Sequence, residues 1–308
     1  STKGWLPVSD DAVAFDHGSP FIPLQQAVFA YGEASGTVSL KNLVNSSGVV
    51  AADVAGVGTA RYNPGAAGYG NNKAIFAYGA NAGYSDISLS NLVNSSGVIA
   101  ADVTGVGTAR ESPSAGTYGY DKAVMAYGAN PGVVSLKNLV SNSGVVAADV
   151  TGVGTARRYS AAAKYSDDKV IFGFGTTGSV VGVTNLCNNV GVIAADVSAV
   201  GTAREALGAA PYGTDKAIFA YGTAGGGVNT RNLVSNVGVV ASDASGAGTA
   251  RHYIKGATYG SDKAIFAYGY TSANVSISNL CSNTGVIAAD VSGVGTARRT
   301  LGAAGYGN

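Results

Sequence analysis

Residues that could do chemistry are few in this chain of 308, and most of them recur at one spacing. It has two histidines, His17 and His252, two cysteines, Cys187 and Cys281, and 18 acidic residues. Six aspartates each lie eight positions before an arginine, and a carboxylate held beside a guanidinium forms strong charge-assisted hydrogen bonds. The pairs are Asp53 and Arg61, Asp102 and Arg110, Asp149 and Arg157, Asp196 and Arg204, Asp243 and Arg251, and Asp290 and Arg298.

These repeated charges suit a structural role better than a catalytic one. We expect each aspartate to fasten one part of the fold to another, by a salt bridge or by hydrogen bonds from nearby backbone; a ring of metal-binding carboxylates is the alternative. The many Gly-x-Gly strings do not open a helix, as a phosphate-binding loop requires. Because few bases or nucleophiles remain, the sequence predicts no enzymatic activity, no cofactor and no metal.

The aspartates and arginines belong to an internal repeat, which the elements of the fold must follow. One anchor, KAIFAYG in its commonest form, begins at positions 26, 73, 122, 169, 216 and 263. A second, Asn-Leu, begins at 42, 91, 138, 185, 232 and 279, and a third, Gly-Thr-Ala-Arg, ends at the six arginines. Successive copies are 47 residues apart, except for one two-residue insertion between positions 73 and 91.

Each copy contains four short segments of strand composition. A small-residue segment ending in Tyr-Gly is followed by KAIFAYG, VSLSNLV and GVIAADV, which we label strands a, b, c and d. Such runs, separated by Gly, Asn and Ser, are typical of antiparallel hairpins, and no segment has helical periodicity. Four strands in each of six copies predict an all-β, six-bladed β-propeller. An open β-solenoid is the alternative, but it would need atypical capping repeats.

The register predicts how the ring closes. The strand-b position after Arg298 would be 310, and Gln26 holds that position at the start of the chain, preceded by Gln25. We therefore expect the C-terminus to supply strand a of the blade whose strands b, c and d are N-terminal, which removes an open sheet edge. The domains are a non-repeat extension over residues 1–24, an anchor or a cap, and the propeller over residues 25–308.

The repeat resembles the kelch type of propeller repeat over residues 25–308. The shared features are an arginine, a small-residue strand, a strand ending in aromatic-Gly, and a further strand and turn. The paired glycines of that family are Tyr-Gly here, and its blade tryptophan is missing. Some kelch-type propellers bind copper through one Tyr, one Cys and two His. The two histidines of this chain do not match that copper site, because His17 lies in the extension and His252 lies in a loop. Near-identical DKAIFAYG…GTAR repeats are similar to propellers of bacteriophage virion and secreted bacterial proteins.

Comparison among the six copies separates a constant face from a variable face. The a–b and c–d turns are nearly identical and define the constant face. The b–c loops and the residues after the repeat arginine differ among the copies, and they define the variable face. Six tyrosines lie outside strands a and b; five of them are on the variable face, and the sixth is Tyr120. Tyrosine is typical of binding surfaces, and drift at tolerant loop positions is the alternative. The candidate ligand-binding residues are Tyr62, Tyr84, Glu111, Arg158, Tyr159, Glu205, His252, Tyr253 and Tyr270.

Composition narrows the choice of partner. A net charge of +1 argues against nucleic acid, and no apolar run approaches the roughly 18 residues that membrane insertion needs. We expect a non-enzymatic binding protein of a virion or cell surface, outside the cell. Its variable face would recognise a host-surface glycan or protein, and residues 1–24 would bind other virion or surface proteins. The alternatives are a structural decoration or assembly protein of a virion and, least favoured, a secreted enzyme.

Overall fold

The computed structural model of the chain describes residues 26–198 and 200–307. Within them all regular structure is β, in six three-stranded antiparallel sheets and one two-stranded ribbon. The all-β class and the repeated architecture are confirmed; the predicted extension over residues 1–24 lies outside the described residues. No helix in these ranges is long and apolar enough to cross a bilayer.

Each sheet has a first, a middle and a third strand, which correspond to the predicted strands a, b and c. The first strands are β4 (Gly65–Tyr69), β8 (Ser114–Tyr118), β11 (Ala161–Tyr165), β14 (Gly208–Tyr212), β17 (Lys255–Tyr259) and β20 (Gly302–Tyr306). The middle strands are β1 (Gln26–Ala30), β5 (Lys73–Ala77), β9 (Lys122–Ala126), β12 (Lys169–Gly173), β15 (Lys216–Ala220) and β18 (Lys263–Ala267). The third strands are β2 (Lys41–Val44), β7 (Ser90–Val93), β10 (Lys137–Val140), β13 (Thr184–Cys187), β16 (Arg231–Val234) and β19 (Ser278–Cys281). The ribbon pairs β3 (Arg61–Tyr62) with β6 (Ala80–Asn81).

The predicted fourth strand is not a regular strand, which corrects the expectation of four-stranded sheets. After β2, the segment forms only isolated bridges, Val50 with Val44 and Val54 with Lys41. Val54 lies four positions after Val50, whereas Val44 lies three after Lys41. One extra residue therefore interrupts the ladder, as in a β-bulge. The same two bridges recur in all six repeats.

The two ends of the chain share one sheet. β20 pairs antiparallel with β1, and Gln26 lies opposite Tyr306. This is the register of the β4–β5 hairpin, in which Lys73 lies opposite Tyr69. The first strands also contact one another in the order β20, β4, β8, β11, β14, β17 and back to β20. Every first strand therefore has a neighbouring first strand on both sides.

The core lies between neighbouring sheets. One cluster packs Tyr165 and Ile171 of one sheet against Phe219 of the next. The tyrosine that ends each first strand lies against the glycine of a neighbouring c–d turn, as Tyr69 does against Gly144. A side chain at Gly144 would collide with that ring, and its φ of +86° also favours glycine. Small residues thus let the sheets approach closely, which accounts for the composition.

The two cysteines hold equivalent buried positions, and neither forms a disulfide. Valine occupies this position in the other four copies. Burial raises the pKa of the Cys187 and Cys281 thiols to about 12. Both therefore stay protonated near neutral pH and act as small apolar side chains.

Candidate binding face and the joints that position it

Each link that leads from one sheet into the next is fastened by a four-residue unit, which we call the joint; Thr59, Arg61, Asn91 and Asp102 form one. The Asp102 carboxylate accepts hydrogen bonds from the Thr59 amide (3.0 Å), the Thr59 hydroxyl (2.7 Å) and Asn91 Nδ2 (2.9 Å). Arg61 donates to Asn91 Oδ1 at 2.6 Å, and its Nη1 lies 3.9 Å from Asp102. Asp102 therefore pairs with Arg61, which lies in the preceding link, and not with Arg110, which lies eight residues after it in the sequence.

All six joint arginines are fully buried. Each guanidinium lies over an aromatic ring of the sheet that the link leaves, for example Arg110 over Tyr78 at 4.0 Å, in a cation–π contact. Burial lowers the pKa of these arginines; for Arg204, which lies over Phe174, the pKa falls to about 10. Each joint therefore holds a buried positive charge at neutral pH.

The joint aspartates make the fold sensitive to acid. Burial alone would raise the pKa of Asp102, but hydrogen bonds from Thr59 and Asn91 and the charge of Arg61 bring it below the ordinary value of 3.8. The pKa of the other five joint aspartates is lowered in the same way. Such a carboxylate stabilises the fold fully above the unfolded-state pKa, and this stability is lost as the pH falls through the folded-state pKa.

We expect the free energy of unfolding to decline slightly between pH 7 and pH 5, where the unfolded chain protonates His252 before the folded chain does, and to fall steeply below about pH 4, where the unfolded chain also takes up protons at the joint aspartates. Urea titrations across this range measure the fall. In Asp102→Asn one titrating joint is absent, so the fall should be smaller than in the unsubstituted chain. Equal stability at both ends of the range would contradict this role of the aspartates.

The two variable segments meet in every repeat. The residue after the joint arginine forms a β-bridge with a b–c loop residue of the same sheet. The pairs are Tyr62 with Ala80, Glu111 with Ala129, Arg158 with Thr176, Glu205 with Thr223, His252 with Tyr270, and Arg299 with Glu33. Both variable segments lie at one end of the sheets, as the sequence predicts, and Tyr120 lies in an a–b turn at the other end.

The following residue of each copy has a left-handed backbone, and we call these six residues the rim. Their φ angles lie between 52° and 57°, a region that costs non-glycine residues roughly 1–2 kcal/mol. Backbone hydrogen bonds run along the rim from sheet to sheet; the Ser112 amide donates to the Asn63 carbonyl (3.0 Å), and the Tyr253 amide donates to the Ala206 carbonyl (2.7 Å). The rim consists of Asn63, Ser112, Tyr159, Ala206, Tyr253 and Thr300.

Aromatic side chains gather on one part of the rim. The Tyr253 ring lies 5.5 Å from that of Tyr159 and 4.9 Å from that of His252, which lies 5.4 Å from the Tyr270 ring. Burial and then the charge of Arg299 lower the pKa of His252, while burial above all raises that of Tyr159 to about 12. His252 and Tyr159 are therefore uncharged at neutral pH.

Charged side chains lie beside the aromatic cluster. Arg158 donates to Glu111 at 3.1 Å, and Asn63 donates to the same carboxylate at 3.0 Å. Arg299 donates to Glu33 at 3.2 Å. Glu205 differs, because its Oε2 is buried and has no hydrogen-bond partner in the described part of the chain.

Six of the nine predicted ligand-binding residues thus form one contiguous group. The group comprises Glu111, Arg158, Tyr159, His252, Tyr253 and Tyr270. Tyr62 and Tyr84 form a separate pair with ring centroids 6.2 Å apart, and Tyr84 is 81% exposed. That these residues bind a ligand stays a prediction.

A small pocket of about 10 Å³, room for about one water molecule, opens at the centre of the rim. All six rim residues line it, one from each sheet, and Ser160, Ile254 and Lys255 complete the lining. Sequence comparison missed Asn63, Ser112, Thr300 and Lys255. A signal existed for Lys255, because it opens a first strand where other copies have Gly, Ser or Ala.

The pocket and its surroundings are equipped for noncovalent binding. Aromatic rings offer apolar surface, and hydroxyl, amide and ammonium groups offer directional hydrogen bonds. Across residues 26–198 and 200–307, no group of three or more His, Cys, Asp or Glu side chains is placed to hold a metal ion. The chain matches none of the protein-family models and none of the curated proteins with which it was compared.

Proposed function

We propose that the six sheets are the blades of a closed, six-bladed β-propeller of the kelch type. The cyclic contacts of the first strands and the pairing of β20 with β1 support closure. So does the joint between the last and first repeats, in which the Thr296 hydroxyl donates to Asp53 at 2.6 Å and Arg298 lies 3.7 Å from that carboxylate. Each blade then comprises three regular strands and the bridged fourth segment.

We propose that this propeller is a non-enzymatic binding protein whose variable face recognises a host-surface glycan or protein. The observation that carries the proposal is the convergence of one rim residue from every sheet on a single pocket beside the aromatic cluster. Tyrosine combines an apolar ring with a polar tip, which suits it to stacking on sugars and to protein contacts.

We further propose that the protein is a component of a virion, such as a bacteriophage tail or capsid, or of a cell surface. The sequence likeness of the repeats supports this setting. Gln26 lies opposite Tyr306 at the constant-face end of its sheet. Attachment to other virion or surface proteins through residues 1–24 would therefore leave the variable face open to the host.

Replacing Tyr253 and Tyr270 with alanine is expected to weaken ligand binding at least tenfold and to leave the melting temperature almost unchanged. Removing a central aromatic anchor costs about 2 kcal/mol or more of binding free energy. The fold tolerates the change, because Ala206 and Ala129 hold the same two positions in other repeats. A glycan array identifies the ligand, and a binding titration on the wild-type and doubly substituted chains measures the loss.

Tyr120→Ala is the matched control. Tyr120 is 54% exposed on the constant face, so its loss should change neither binding nor melting. The assignment of the two faces is reversed if binding survives the double substitution and disappears when residues 1–24 are deleted.

Exposed valines favour a second candidate, a structural decoration or assembly protein of a virion. Six valines at one repeat position, beside the c–d turns, are each 53–65% exposed. An apolar side chain exposed at the same position of every repeat would offer neighbouring subunits a matching set of contacts. The glycan array separates the candidates, since a decoration protein would bind no glycan and would instead associate through these positions. The valines are Val49, Val98, Val145, Val192, Val239 and Val286.

A further inference from the structure

We propose that residues 21–24, the end of the N-terminal extension, dock in a pocket on the constant face of the same chain, with Ile22 as the side chain that fills it. The sequence of this segment is Phe-Ile-Pro-Leu. The inference goes beyond the proposed function, because it concerns the opposite face and leaves residues 1–20 for attachment to other proteins.

The constant-face pocket lies between the first strands, at the end of the sheets that carries the a–b turns. It is lined from five of the six sheets, and Tyr69, Pro211 and Tyr212 give it largely apolar walls. Its volume is about 40 Å³, whereas one buried water needs roughly 10–15 Å³. The pocket therefore has room for about three water molecules or for one aliphatic side chain.

The repeat register places the end of the extension at the mouth of this pocket. Four turn residues line the pocket, and each lies two positions before the first residue of a middle strand. The equivalent residue before β1 is Leu24. None of the described lining residues belongs to the sheet of β1, so Leu24 would complete the sixth side of the mouth. The four turn residues are Asn71, Tyr120, Thr214 and Ser261.

Backbone hydrogen bonds between neighbouring a–b turns give the same placement. The amide after a first strand donates to the carbonyl of the residue before the middle strand of the next sheet, as Gly213 donates to Asp262 (2.7 Å) and Gly307 to Asn72 (3.0 Å). Gly260 follows the first strand β17, and the register assigns its acceptor to residue 25. The extension would therefore join the sheets beside Ser261, which lines the pocket.

The composition of residues 21–24 suits an apolar pocket, since none of them is charged. Pro23 favours an extended backbone at Ile22, and side chains two residues apart in an extended chain face the same side. With Leu24 at the mouth, Ile22 would face the pocket. Chain continuity keeps the segment at a high effective concentration there. Asn, Thr and Ser replace Tyr120 in the other lining turns, so the docking does not depend on the Tyr120 ring.

The acetylation rate of Lys164 tests the docking on the full chain. Lys164 lines the pocket, and burial lowers its pKa to about 8, so much of the amine is unprotonated and reactive at pH 8. We expect Ile22→Ser to raise this rate about tenfold or more, measured by mass spectrometry, because loss of the buried side chain opens the pocket. Leu6→Ser is the matched control and should leave the rate unchanged; Leu6 is also aliphatic and also precedes a proline, but it lies outside the docked segment.

Lys255 is the internal reference, because it lines the pocket of the rim at the opposite end of the first strands. An unchanged rate at Lys164 in Ile22→Ser, or an equal rise in Leu6→Ser, would overturn the inference. So would a rise that Lys255 shares, since it would report a general loosening of the sheets.

The dependence on protein concentration separates docking within the chain from docking between chains. Protection of Lys164 that is the same at low and high concentration supports docking within the chain. Protection that appears only at high concentration would place the segment in a neighbouring copy and overturn the inference. Ligand binding that depends on Tyr253 and Tyr270 is measured separately, so the proposed function stands or falls independently of these results.

Discussion

Deleting residues 301–308 is expected to lower the free energy of unfolding by several kcal/mol. The deletion removes β20, so β1 loses one of its two partner strands and presents an open edge. Leu301 and Tyr306 are almost fully buried, at 0% and 1% exposure. Each such side chain contributes roughly 1.5–3 kcal/mol through burial, so these two alone account for about 3–6 kcal/mol. Chemical denaturation of residues 25–308 and 25–300 measures the difference.

A permuted chain is the control for this deletion. Residues 301–308 are moved to precede residue 25, so the same strand enters the same sheet through a covalent hairpin. The register of Gln26 opposite Tyr306 matches that of Lys73 opposite Tyr69, so the permuted chain should recover the stability of residues 25–308. Equal stability of the truncated and intact chains would contradict closure by β20.

Arg251→Met is expected to cost about 3–5 kcal/mol of folding free energy, as removal of one member of a buried charged group does. The arginine is fully buried and donates to Asn279 Oδ1 (2.6 Å) and to the carbonyls of Tyr268 (2.9 Å) and Thr249 (3.0 Å). Methionine fills much of the volume but leaves these acceptors unpaired. Urea denaturation followed by circular dichroism measures the loss.

Lys263→Met is the matched control, because it removes one positive charge from the same repeat. The Lys263 side chain is 45% exposed, and within the described part of the chain its ion-pair partner is the adjacent Asp262 at 3.3 Å. Exposed pairs of this kind contribute about 0–1 kcal/mol. Similar losses in the two variants would mean that the joint arginine acts only through its net charge and not through its buried contacts.

Much of the fold follows from the repeat, and the deviations have local causes. The spacing of Tyr69 and Lys73 predicts the a–b hairpin, and the same spacing applied across the chain ends predicts the pairing of β20 with β1. The fourth segment differs because a bulge lies between Val50 and Val54. This bulge lets Ala51 O and Asp53 Oδ1 both accept from Asn42 Nδ2, at 2.9 Å each. The apolar, β-branched composition of Gly-Val-Ile-Ala-Ala-Asp-Val predicts an ordinary strand and carries no sign of this.

The candidate site was less accessible to sequence reasoning. The b–c loops and links could be placed on one face from connectivity alone, and the structure pairs His252 with Tyr270 there. Tertiary contacts decide which repeats lie next to each other at the pocket. The contact between the Tyr159 and Tyr253 rings could therefore not be predicted from the sequence. The same limit applies to the joints. Six identical copies of Asp and Arg cannot reveal that Asp102 engages Arg61 and not Arg110.

The left-handed rim has an evolutionary consequence. Its conformation is held by backbone hydrogen bonds and by the joint next to it, so Asn, Ser, Tyr, Ala and Thr all occupy the same position. Near-identical repeats also recombine readily at the level of the gene. An exchange between two repeats would therefore move a rim residue and its loop together, and would change contacts between repeats such as that of Tyr159 with Tyr253. If the variable face binds the proposed ligand, its specificity could then change one repeat at a time while the joints are kept.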